Sequence, residues 1–99
     1  MTSRCVLSVV AEQDIEEIIT YLALENPVVA QTFLDALFNA MDNLVEYPEL
    51  GHLREDLTDL PVKFLPFKWH YLIIYKPTSP LEIVRVLSGF RDIINLLII

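Results

Sequence analysis

Nucleophilic, acid–base and metal chemistry each require particular side chains, and this 99-residue chain holds few of them: one cysteine, two histidines and two glycines. His52 and His70 stand far apart, and no CxxC, HxxE or acidic run has metal-ligand spacing, so the sequence offers no metal site. Gly51 and Gly89 cannot build a phosphate-cradling loop, and no other cofactor motif occurs. Glu16 and Glu17 are adjacent, so on a helix they diverge by roughly 100° and cannot act as a carboxylate pair. Cys5 lies in a β-branched run, where a cysteine is ordinarily a packing residue and not a nucleophile. His70, beside Trp69, allows two readings: a general base, or an edge or partner contact. No catalytic residue emerges.

The cations are more informative. Up to Asp59 the chain carries twelve acids and two bases, Arg4 and Arg54; after it come five bases, Lys63, Lys68, Lys76, Arg85 and Arg91, against two acids. The net charge of −7 therefore divides into an acidic first part at −10 and a basic last part at +3. Such a division predicts two faces with different partners. The overall acidity argues against autonomous nucleic-acid binding. At 54% hydrophobic residues and a mean hydropathy of +0.44, the chain should build a strongly apolar core. Still, no apolar run approaches the ~18 residues of a membrane span, and the start does not read as a signal peptide. A lone cysteine agrees with a reducing cytosol, and the length suits one domain spanning 1–99.

The elements that would position these residues follow from periodicity. Cys5–Val10 reads as a first strand. Ile15, Ile18, Ile19 and Leu22 then define an amphipathic helix whose early acids, Glu12 and Asp14, complement its dipole. Asn26-Pro27 ends it and starts a second helix to about Glu46, with Phe33, Leu37, Met41 and Leu44 as its stripe. So short a turn predicts an antiparallel helical hairpin. A loop to Asp59 precedes a strand at Val62–Phe67, placed at a sheet edge by Pro66. Trp69–Tyr75 reads as a central strand, Lys76–Pro80 as a five-residue hairpin loop, and Leu81–Leu87 as a strand with Ile83, Arg85 and Leu87 on one face. Arg91–Leu97 is either a short helix or an extended tail. The expected fold class is α+β: an N-terminal strand and a helical hairpin packed on a mainly antiparallel sheet.

The order of these signals resembles toxins of the ParE/RelE superfamily from bacterial type II toxin–antitoxin modules. The resemblance rests first on Ala11, Asp14, Ile15, Ile18 and Tyr21, then on Asn26-Pro27, Ala30, Phe33 and Leu37. It continues through Leu44, Pro48, Gly51, Arg54 and Asp56-Leu57, then Tyr71 and Ile73-Ile74-Tyr75. It closes on Ile83-x-Arg85-Val86-Leu87-Ser88-Gly89-x-Arg91-Asp92. One departure is Ser88, where many members carry histidine.

The resemblance implies a toxin neutralised by a cognate, ParD-like antitoxin whose acidic C-terminal segment wraps it in a hetero-oligomeric complex in the cytoplasm. ParE-like members inhibit DNA gyrase by binding; RelE-like members cleave mRNA on the ribosome. Ribonuclease members commonly place an arginine at the position of Leu72 and a tyrosine near Leu97, both aliphatic here, which favours the gyrase-type branch. A ribosome-dependent ribonuclease and a non-toxic degenerate member are the alternatives. In this reading Lys63, Lys68, Arg85 and Arg91 hold antitoxin carboxylates, with Phe64 and Trp69 as apolar anchors. The competing reading pairs Arg85 internally with Glu82 or Asp92. The outer stripe of the second helix, Ala30, Leu34, Phe38 and Val45, either packs on the sheet or forms a groove for an antitoxin helix. The run Leu96–Ile99 requires a covering surface.

Overall fold

The first strand is cut short by a serine. The computed structural model describes residues 5–89 and 93–97, and β1 covers only Cys5–Leu7. The Ser8 side chain accepts a hydrogen bond from the Ala11 N–H at 2.9 Å and so caps helix α1, Val9–Glu25. Val9 and Val10, expected in the strand, open the helix instead, because the cap outweighs their β-branched preference. The Ser8 hydroxyl also donates to the Val84 carbonyl, tying the helix start to the sheet.

Asn26 performs two tasks at the next junction. Its N–H closes α1 on the Leu22 carbonyl, and its Oδ1 accepts from the Val28 N–H to begin α2, Pro27–Glu46. Pro27 at the first helical position loses no intrahelical bond. The chain then forms β2, Lys63–Phe67, β3, Tyr71–Lys76, β4, Leu81–Ser88, and the short α3, Ile93–Leu96. The four strands lie in the order β1-β4-β3-β2, with β1 parallel to β4 and the other pairs antiparallel. The expected α+β class, hairpin included, is the observed one.

Each sheet face carries its own core. The helical hairpin buries Ala11, Phe33, Leu37 and Leu44 against Tyr71, Ile73, Tyr75, Ile83 and Val86. The opposite face packs Val62, Phe64, Ile74, Val84 and Leu87 under Ile93 and Leu97 of the C-terminal segment. Leu97 is thus buried and Leu96 packs beside this core, while Ile98 and Ile99 lie outside the described residues.

Three further sequence expectations are revised. Tyr71, not Trp69, begins the central strand; Lys68, Trp69 and His70 form the β2–β3 turn, with Lys68 and Trp69 at φ of 21° and 57°. Alternation along β4 also fails. Ile74 pairs with Arg85 but Tyr75 with Ile83, so Val84 is an inserted residue. The bulge puts Ile83 and Val86 on the helix face and Val84 and Leu87 on the other, and turns Arg85 away from both apolar sets. Lys76 extends β3, shortening the following loop to 77–80, with a cis Ser79–Pro80 bond.

β2 is an edge strand, as Pro66 requires. The N–H and carbonyl of Phe64 bond His52 on its outer side, which places Pro66 at the next outward position, where a missing N–H is harmless. The loop carrying His52 is fixed by Tyr75, whose hydroxyl accepts from the Gly51 N–H at 2.8 Å and donates to the Pro48 carbonyl at 2.7 Å. A Cβ on Gly51 would stand 2.7 Å from that ring and hydroxyl, so only glycine admits the contact.

Tyr75→Phe leaves the buried Gly51 N–H unpaired and should cost about 1–3 kcal/mol. Urea unfolding should show a lower midpoint at unchanged slope, and Gly51→Ala should act in the same direction.

Candidate functional site

Arg85 is the cation whose surroundings are most fully determined. Its Nε and Nη2 donate to the two carboxylate oxygens of Asp14 at 2.7 and 2.8 Å, a bidentate pair across α1 and β4. Its Nη1 donates to the Leu96 carbonyl at the end of α3. Asp14 also accepts from the backbone N–H of Val86 at 3.1 Å. The side chains are 15% and 10% exposed. Bonding to Asp14 holds the guanidinium pKa above its usual value against the opposing effect of burial. Glu82 is not the partner given by these bonds and instead lies 3.8 Å from Lys76; Asp92 lies outside the described residues.

Asp14 was legible in principle. It falls on the buried stripe between Ala11 and Ile18, and an acid on an apolar stripe needs a cation or backbone donors. Reading it only as a dipole complement overlooked that requirement.

The other candidate residues separate by depth. Phe64 is buried in the core beneath α3. Lys63 begins β2 and is half-buried, at the opposite end of the strand from the β2–β3 turn. Arg91 lies outside the described residues. Lys68 and Trp69 come together in that turn. Trp69 is 54% exposed and its ring stacks on Phe33 at 6.4 Å, while the Lys68 ammonium stands 5.9 Å from the indole centroid. Phe67 and Tyr71 pack against the same Phe33 ring. A cation over a braced, half-exposed indole is an apolar anchor with a charge beside it. The left-handed backbone at Trp69 is strained for a bulky residue and holds the ring outward.

Beside this turn a cleft of about 390 Å³ opens between α1 and the ends of β3 and β4. Glu17 and Tyr21 form its α1 wall, and His70, Tyr71 and the Val86–Ser88 segment form its sheet wall. His70 is exposed and stacks on Tyr71 at 4.6 Å; it stands in the turn and not on a strand. Cys5 is half-buried on the helix-face core, and burial, with Asp42 secondarily, pushes its thiol pKa up, which keeps it protonated. Among the described residues no cluster of three metal-ligating side chains occurs, and no helix is long and apolar enough to cross a membrane.

The sequence profile of the family described as the ParE toxin of the type II toxin–antitoxin system, parDE, matches residues 6–93. A search of curated proteins returned no match. Among solved structures, a chain from the chromosomal ParDE toxin–antitoxin system of P. aeruginosa superposes with a TM-score of 0.66 at 18% identity, covering 85% of this chain and 92% of that one.

Removing one member of the Asp14–Arg85 pair strands the other. Asp14→Asn or Arg85→Gln should each destabilise the fold by about 3 kcal/mol, read as a lower urea midpoint. Arg85→Lys should recover only part of this, because an ammonium cannot reproduce the bidentate fork and the bond to Leu96 together.

Proposed function

The chain belongs to the ParE toxin family of type II toxin–antitoxin systems, and from that membership we propose that it is a cytoplasmic toxin that inhibits DNA gyrase by binding, without turnover, until an antitoxin covers it. The family match over residues 6–93 carries this reading. Support for binding over RNA cleavage comes from two positions. Leu72, where ribonuclease-type members commonly place an arginine, and Leu97, near which they place a tyrosine, both pack into the core beneath α3. RNA cleavage needs cations and an acid–base group facing the phosphate, and these two positions supply apolar packing.

The antitoxin surface is proposed at the β2–β3 turn. Trp69 serves as the anchor, Lys68 receives an acidic side chain, Lys63 adds a charge at the far end of β2, and Arg91, outside the described residues, is a further proposed contact for antitoxin carboxylates. Arg85 and Phe64 contribute from beneath: the one orders β4 and α3, the other supports β2. An acidic segment landing on Lys68 meets a cation already aligned beside an apolar ring, which favours both rate of encounter and register.

Induction of the chain without an antitoxin tests the proposal. Growth arrest with an SOS response and inhibited supercoiling is expected; cleaved mRNA with loss of translation, or no phenotype, contradicts it. In the complex with the antitoxin from the adjacent reading frame, Trp69→Ala should weaken binding by about tenfold or more. Lys68→Glu should weaken it further at low salt than at high salt. Unchanged calorimetric affinity in both variants, with native circular dichroism, removes the turn from the interface.

A further inference from the structure

We infer that the cleft between α1 and the sheet is a receptor for an arginine side chain presented by the antitoxin, a second docking point of opposite charge to the Lys68–Trp69 turn. The inference rests on the proposal that an antitoxin covers this chain, and adds to it a specific residue type and its seat. It starts from the distribution of charge around the cleft. Asp14 is neutralised by Arg85. Glu17, three residues further along the same face of α1, forms no ion pair among the described residues and lines the opening. Arg85, already bonded to Asp14, is also within electrostatic reach of Glu17, so among the described residues one guanidinium is shared by two carboxylates and the cleft keeps a net negative charge.

Its remaining walls suit a flat cation. Tyr21 is 61% exposed and stands on the α1 side, while His70, stacked on Tyr71, faces it from the sheet. A guanidinium can lie against an aromatic face and donate within its own plane at the same time; an ammonium cannot do both with equal geometry. A backbone carbonyl of the sheet wall faces the same helix. The Val86 N–H points away from β3, toward Asp14. In a strand the carbonyl of a residue points the same way as its N–H, so the Val86 carbonyl also faces the α1 side. Carboxylate, carbonyl and aromatic wall together match the fork of an arginine.

A chain segment fits better than a free small molecule because the cleft does not end at Tyr21. Glu17 and Tyr21 also line a shallow groove that continues along the exposed side of α1 past Glu16 and Thr20 to Leu24, which is 82% exposed. An extended or helical segment in that groove would place apolar residues on Tyr21 and Leu24 and its arginine in the cleft. Lys68 and Trp69 immediately precede His70 in the β2–β3 turn, so one antitoxin segment with acidic and basic stretches in succession could satisfy both sites.

The test uses the full chain, isotope-labelled, titrated with N-acetyl-arginine amide and with the neutral isostere N-acetyl-citrulline amide. Chemical-shift changes should concentrate at Glu17, Tyr21, His70 and Tyr71, and citrulline should bind about three- to fivefold more weakly. Glu17→Gln should remove the preference for arginine while leaving circular dichroism unchanged. Equal binding of the two amides, or shifts scattered over the surface, overturns the inference. In the antitoxin complex, Glu17→Gln should raise the Kd by a similar factor, and an unchanged Kd beside an intact wild-type complex defeats the inference while sparing the antitoxin reading. If no antitoxin from the adjacent frame binds, that reading fails, and the amide titration still decides the cleft.

Discussion

A strand that outruns its neighbour must find other partners for its backbone. β1 pairs β4 only over Leu81–Ile83, yet β4 continues to Ser88. Beyond Ile83 its outward groups face α1, and the helix supplies what a strand would have supplied. Ser8 takes the Ile83 and Val84 carbonyls, and the Asp14 carboxylate takes the Val86 N–H. An orphaned backbone group here would carry the full desolvation penalty. Arg85, turned outward by the bulge at Val84, completes the arrangement by neutralising Asp14 and reaching the Leu96 carbonyl. One carboxylate and one guanidinium thus join the helical hairpin, the sheet and the C-terminal segment.

The consequence for binding is a division of labour among the cations. A guanidinium bonded to a carboxylate on one side and a carbonyl on another is committed to the fold, and a partner would have to break those bonds to use it. Among the described residues Lys68 has no such commitment: it stands over an exposed indole on a turn braced by Phe33, Phe67 and Tyr71. The fixed geometry of α1 in turn holds Glu17 and Tyr21 opposite the sheet and keeps the cleft open. In the proposed reading recognition is carried by the periphery, and the ion pair determines where that periphery lies.

Much of the architecture was readable because it rests on local rules. Asn26-Pro27 marks a cap and a proline at the first helical position, and the 3.6-residue stripe of Phe33, Leu37 and Leu44 marks the face that is buried. Pro66 identifies an edge strand. What escaped depends on contacts distant in sequence. The Ser8 cap ends β1 because its hydroxyl finds Val84, 76 residues away. The bulge that reverses β4 is a property of pairing with β3 and leaves no mark in a Val- and Ile-rich run. Trp69 looked like strand because aromatic residues favour strands, yet it sits in the turn where its ring can stack on Phe33. Arg85 was visible as a notable cation, but its partner was not, since Asp14 and Arg85 are 71 residues apart. Several residues that carried the family resemblance, including Asp14, Gly51, Tyr75 and Arg85, prove to be those that hold the fold together.

Hydrogen–deuterium exchange on the chain free and bound to its antitoxin tests most directly whether the periphery, and not the Asp14–Arg85 junction, meets the partner. Protection gained on binding should concentrate in residues 67–71 and along the exposed side of α1 from Glu17 to Leu24, with the β4 segment around Arg85 slow to exchange in both states. Protection centred on β4 around Arg85, or confined to the Phe38 side of α2, would contradict the account.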